Sequence, residues 1–159
     1  MSKRQDQLRR RLTEEGAKML ATFEALPPDE RGRTIYTEGA AWTVKDILAH
    51  QANTERSIRV LLNDILAGGA GVPQAFSIDR YNTSEVAKMS GLSWEELIEA
   101  FRAARADMAE WVLSLADEQL EWRGRHPFLG DASVEDIVQL LYRHNMLHVR
   151  DIRRARISA

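Results

Sequence analysis

The chain has 159 residues, with 24 acidic and 22 basic side chains and a formal net charge of -2. That balance gives no global electrostatic reason to bind nucleic acid, and the lack of cysteine excludes a disulfide framework, a thiolate metal site and a cysteine nucleophile. No apolar run approaches the roughly 20 residues of a membrane-spanning helix, and the charged N-terminus has no apolar signal region, so one cytoplasmic domain over residues 1–159 is expected.

Helical periodicity dominates and β-alternation is almost absent. A first helix is expected from Gln5 to Leu26, with Leu8, Leu12, Met19, Leu20 and Phe23 on one stripe. Pro27 and Pro28 stop it, because proline cannot continue the helical hydrogen-bond ladder. Three further helices are expected over 44–67, 94–116 and 134–155. Each opens on a hydroxyl followed three residues later by an acid: Thr43 with Asp46, Ser93 with Glu96, Ser133 with Asp136. That is the capping-box pattern, in which both groups satisfy orphan N–H donors of the first turn. A long connection, "GGAGVPQAFSIDRYNTSEVAKMSGL", separates the second and third long helices and carries a short helix around Thr83 to Lys88. The fold class is therefore all-α, a four-helix bundle with a long crossover between helices 2 and 3. Such a crossover can join parallel neighbours.

Several polar residues fall on apolar faces. In the last helix, His144 and His148 lie within the stripe of Val134, Ile137, Val138, Leu141 and Ile152, and Asp151 lies on the flank of His144. In the second, Gln51 and Thr54 interrupt the stripe and His50 sits at its edge. Unpaired polar groups there would be costly to desolvate, which points to a polar pocket midway along the bundle. In the third, Arg105 shares the stripe of Trp94, Ile98, Phe101, Met108 and Val112 and must meet an acid, a backbone oxygen or an anionic ligand. A structural Arg–Glu pair is favoured over a carboxylate-binding role. Arg80, Tyr81 and Asn82 form either a rim over the pocket or a packed loop. Glu55 reads as solvated, His126 in "RGRHPFLG" as a surface loop residue, the tryptophans as packing, and the basic clusters at both ends as helix surface.

The pair His144 and His148 admits two readings. Both can be core histidines satisfied by hydrogen bonds. Alternatively, side chains at i and i+4 share a face, and two imidazoles at that spacing can converge on one ion. Asn145 stands where zinc proteases carry their glutamate, which argues against that class. A metal reading needs a third ligand from another helix, with His50 the candidate. Three neutral nitrogens would leave open positions for water or substrate. Imidazole ligation suits Zn, Ni, Cu or Fe and does not choose among them.

Three segments together resemble the DinB/YfiT-like superfamily of four-helix-bundle metalloenzymes. They are "WTVKDILAH" from Trp42 to His50, "DRYNTSEV" from Asp79 to Val86 with the following "LSWEELIEAFRAAR", and "HNMLHVRDI" from His144. The resemblance covers about residues 35 to 155. It implies up-down-down-up topology, a divalent ion (often nickel or zinc) on His50, His144 and His148, and a homodimer. Related branches carry out thiol-dependent S-transfer or isomerisation with mycothiol, bacillithiol or similar cofactors, and one branch is hydrolytic. Two departures matter. The mycothiol-dependent maleylpyruvate isomerases carry a glutamate where His144 stands, and Asp151 replaces the family's usual glutamine. Asp151 can then orient a ligand imidazole through its second nitrogen, or pair with an arginine of "RDIRR".

The expected function is a divalent-metal-dependent enzyme that activates an exogenous low-molecular-weight thiol or water against a small electrophile, either S-transferase or hydrolase-like. Arg105, Asp151, Gln51 and Tyr81 are the candidate catalytic residues. The expected partners are a small-molecule substrate and a second copy of the chain, with no nucleic acid and no membrane. The alternative is a non-catalytic bundle that binds a metal or small molecule.

Overall fold

The three anticipated capping boxes all close. Thr43 Oγ1 accepts from the Asp46 N–H at 3.2 Å and Asp46 Oδ2 from the Thr43 N–H at 3.0 Å. The corresponding distances are 3.1 and 2.7 Å for Ser93 and Glu96, and 3.0 and 3.3 Å for Ser133 and Asp136. The structure, a computed structural model, describes residues 3–158. Its elements are α1 (Lys3–Glu24), α2 (Val44–Leu66), α3 (Ile78–Lys88), α4 (Trp94–Val112), α5 (Asp117–Leu120), strands β1 (Arg123–His126) and β2 (Gly130–Ser133), and α6 (Val134–Ser158). The long helices α1, α2, α4 and α6 form the bundle, in which α1 and α2 each pack on both α4 and α6. Among the described residues, no helix is long and apolar enough to cross a membrane.

The apolar core comes in two parts. One gathers Leu8, Leu12, Leu62, Met108, Val112, Ile137 and Leu141; the other gathers Met19, Phe23, Ile47, Leu48, Leu97, Phe101 and Ile152. Between them lies a polar layer of Gln51, Glu55, Arg105 and Asn145, none more than 4% exposed. The polar interruptions of the stripes thus fall at one level of the bundle.

Three expectations need correction. The third long helix ends at Val112, not near 116, and the short α5 and a β-hairpin follow it. The hairpin pairs Arg123 with Ser133 and His126 with Gly130; strands of four residues are too short to show as alternation. The crossover is pinned to it, since Arg125 donates to Ala70 O at 2.9 Å and Val72 donates to Arg125 O at 3.0 Å. Gly71 makes that approach possible: its φ is +88°, and a Cβ there would sit 2.3 Å from Arg125 N. The short crossover helix also starts earlier than expected, at Ile78, where the Ser77 hydroxyl caps Arg80 N.

His126 is buried, not a surface residue. Its Nδ1 accepts from the Phe128 and Leu129 N–H groups at 3.0 and 3.1 Å and so holds the hairpin turn. Burial pushes its pKa down to about 4. Between the ordinary histidine value of about 6.5 and that value, the unfolded chain binds a proton that the folded chain does not, so stability falls as pH falls. Urea unfolding at pH 7 and pH 5 should show wild type losing more stability than His126→Asn, whose side-chain oxygen accepts without titrating. Equal losses would remove His126 from the pH response.

Candidate metal centre

Three imidazoles from two helices converge beside the polar layer. His50 comes from α2, and His144 and His148 from successive turns of α6. His144 Nε2 lies 2.8 Å from His148 Nε2 and 3.3 Å from His50 Nε2. All three donor atoms fall within 4.8 Å of one another. A tetrahedral ion with zinc–nitrogen bonds of about 2.0–2.1 Å would space its nitrogens roughly 3.3 Å apart, so the cluster is of the right size. His50 and His148 are buried and His144 is half-buried.

Electrostatics favour the neutral, ligating form. Burial, then the neighbouring His148, pushes His50 down to about 3. Burial and the other histidines push His144 down to about 2. Burial takes His148 to about 4 against the opposing pull of Asp151. Metal ligation requires unprotonated imidazole, and all three remain so throughout the neutral range.

The surroundings were only partly anticipated. Tyr36, in the loop between α1 and α2, places its hydroxyl 2.8 Å from His148 Nδ1 and donates to Asp151 Oδ2 at 2.7 Å. Burial, then Asp151, raises the Tyr36 pKa above its ordinary value, so the hydroxyl stays protonated. The other carboxylate oxygen of Asp151 accepts from Arg150 at 3.1 Å. Burial alone would raise the Asp151 carboxyl, but the Tyr36 and Arg150 bonds outweigh it and hold it below its ordinary value. Of the two roles weighed for Asp151, the arginine pair forms, while the direct bond to the imidazole does not, because the Tyr36 hydroxyl stands between them. On the other side, the Trp42 ring stacks on His50 with centroids 4.7 Å apart. His50 Nδ1 is buried with no hydrogen-bond partner among the described residues.

Tyr36 carries no sequence signal, because nothing periodic governs its loop. What fixes it is the backbone: the Ile35 and Tyr36 N–H groups both donate to Trp42 O, at 2.9 and 3.3 Å, folding the loop back on itself. Tyr36 and Trp42 also wall an open cleft of about 730 Å³, completed by Glu38, Asp79, Arg80, Asn82, Thr83 and Ser84. Arg80 and Asn82 therefore lie at its rim. Tyr81 turns aside and packs on Phe76, with ring centroids 5.4 Å apart.

The remaining candidates belong to the polar layer. Arg105 donates to both Glu55 oxygens, at 2.9 and 2.7 Å, to Leu12 O at 3.0 Å, and to Asn145 Oδ1. Asn145 in turn donates to Gln51 Oε1. Glu55, expected in solvent, is 2% exposed, because Arg105 draws it inward; the structural Arg–Glu pair is the outcome for Arg105. Gly16 makes room for the Arg105 side chain against α1, since a Cβ there would come within 2.9 Å of Arg105 Cγ. Thr54 is half-buried and satisfies its hydroxyl on His50 O at 2.8 Å.

A bundle of four long helices with histidines from α2 and α6 meeting at one point is the arrangement that the sequence resemblance implies. The chain matches the DinB superfamily over residues 11–152 and belongs to it. Among solved structures, it is similar to YfiT from Bacillus subtilis, described as a probable metal-dependent hydrolase with an unusual four-helix bundle topology. That match has 16% identity, a TM-score of 0.76, and covers 97% of this chain and 87% of that one. The sibling lethal factor precursor DfsB matches equally well, at 16% identity and TM-score 0.76, over 99% and 98% of the two chains. A mycothiol-dependent maleylpyruvate isomerase follows at 16% identity and TM-score 0.74; the match spans 96% of this chain but 63% of that one. No curated protein matches the sequence. At these identities the structural likeness establishes the fold alone.

Proposed function

We propose that this protein is a metal-dependent enzyme in which His50, His144 and His148 hold one divalent ion, zinc or nickel, beside a polar cleft. The observation that carries this reading is the convergence of three neutral imidazole Nε2 atoms from α2 and α6. A histidine-bound divalent ion with an open position acidifies a thiol or water and polarises an electrophile. The chain has no cysteine, so any thiol is exogenous. The cleft beside Tyr36 and Trp42 offers carboxylate, guanidinium, amide and hydroxyl groups, which suits a polar small molecule. The metal-dependent description of YfiT and the mycothiol dependence of the isomerase support the same class, S-transferase or hydrolase-like.

The topology belongs to the proposal as up-down-down-up. Supporting it, Arg4 near the start of α1 pairs with Glu135 at the start of α6, and Arg153 near the end of α6 reaches Thr22 near the end of α1. Glu55 and Arg59 of α2 meet Arg105 and Asp107 of α4 in the same order.

Metal content by ICP-MS on untagged protein tests the reading. Wild type should carry close to one zinc or nickel ion per chain, and His50→Ala and His148→Ala, confirmed folded by circular dichroism, should carry none. Wild type that is metal-free and takes up neither ion on titration would overturn it.

A further inference from the structure

We propose that Tyr36 is a positioning residue that fixes the tautomer of His148 so that its Nε2 is bare toward His50 and His144. The inference follows from counting protons along one chain of contacts. Asp151 is an ionised carboxylate with Oδ1 accepting from Arg150 and Oδ2 facing the Tyr36 hydroxyl at 2.7 Å. A carboxylate can only accept, so the single hydroxyl proton of Tyr36 points at Asp151. Toward His148 Nδ1, 2.8 Å away, the same oxygen can then only accept. His148 Nδ1 must therefore carry the ring proton, and a neutral imidazole protonated there leaves Nε2 with its lone pair free.

Hydrogen bonding of the far ring nitrogen commonly orients a ligating histidine, usually with a carboxylate or carbonyl as partner. Here the carboxylate acts through an interposed phenol. Asp151 sits four-fifths out of solvent, with a side-chain exposure of 22%. Its hydrogen-bond path to the imidazole runs through Tyr36. The two residues therefore have distinguishable jobs. Tyr36 supplies the acceptor, and Asp151 dictates that Tyr36 is an acceptor and not a donor. If Asp151 is removed, the tyrosine hydroxyl is released to donate to His148 Nδ1, which drives the ring proton to Nε2 and closes that nitrogen to a ligand.

The tautomer claim stands on the chain's own hydrogen bonds; its consequence for affinity rests on the metal-site reading above. Long-range ¹H–¹⁵N correlation NMR on histidine-labelled protein stripped with EDTA reads the tautomer directly. Wild-type His148 should appear as the Nδ1–H form. Asp151→Ala should shift it toward Nε2–H, and Tyr36→Phe should lose the fixed preference, with circular dichroism unchanged in both. Zinc affinity by chelator competition should fall about 10- to 100-fold in Tyr36→Phe, the range typical for removing such a partner. An Nε2–H tautomer in wild type, or a tautomer unmoved by either substitution, would overturn the proposal. Wild type that shows the expected tautomer but binds no zinc would overturn the metal reading and leave the positioning role of Tyr36 intact.

Discussion

Glu55→Ala will lower the unfolding free energy by about 3–5 kcal/mol, the cost of leaving a buried guanidinium without its carboxylate. Arg105 is 4% exposed; after the substitution it keeps only Leu12 O and Asn145 as acceptors. Neither carries charge. Removing both charges together, as Glu55→Leu with Arg105→Met, should recover most of that loss, because two desolvation penalties disappear with the one attraction. Urea unfolding of the two single variants and the double variant checks both statements. A Glu55→Ala cost below 1 kcal/mol would mean that the pair opens to solvent.

Metal-linked stability is the second large effect. Zinc at about 100 times its dissociation constant should raise the unfolding free energy by roughly 2.7 kcal/mol. For a chain of this size that corresponds to a rise of about 5–10 °C in Tm. EDTA should reverse the gain and His144→Ala should abolish it, since His144 lies between the other two histidines at 2.8 and 3.3 Å. Because burial keeps the three imidazoles neutral well below pH 6.5, the gain should persist at pH 6. Differential scanning fluorimetry with and without zinc measures all of these; a His144→Ala variant that still gains stability would place the ion elsewhere.

Helices α2, α4 and α6 were legible because each carries two concordant signals, an apolar stripe and a capping box whose bonds then form; α1 was legible from its stripe alone. The histidine cluster was legible for a related reason: spacing within α6 and polarity on the α2 stripe both select a face, and packing brings faces together. Glu55 was misread because facing was judged on α2 alone; its inward position depends on Arg105 from α4, fifty residues away. His126 was misread because a turn histidine beside proline looks exposed until the hairpin wraps its Nδ1 in two backbone donors. Tyr36 could not have been found at all. Its position depends on a loop folded against Trp42, and a single tyrosine in a loop has no period to betray where it points.

The three candidate ligands are interleaved with the polar layer. His50 is followed by Gln51, His144 is followed by Asn145, and Asn145 donates to Gln51 in the core while His50 meets His144 one residue back on each helix. A single helical register of α2 against α6 satisfies both contacts, so a slip of either helix would break the two at once. The donor atoms are therefore gathered when the chain folds, by interactions that involve no ion. Small zinc domains differ in this respect, because there the metal must organise its own ligands and folding waits for it. With the register set by those core contacts, the conformational entropy of bringing the three histidines together belongs to folding itself. Metal loading should accordingly be a bimolecular step with little backbone rearrangement.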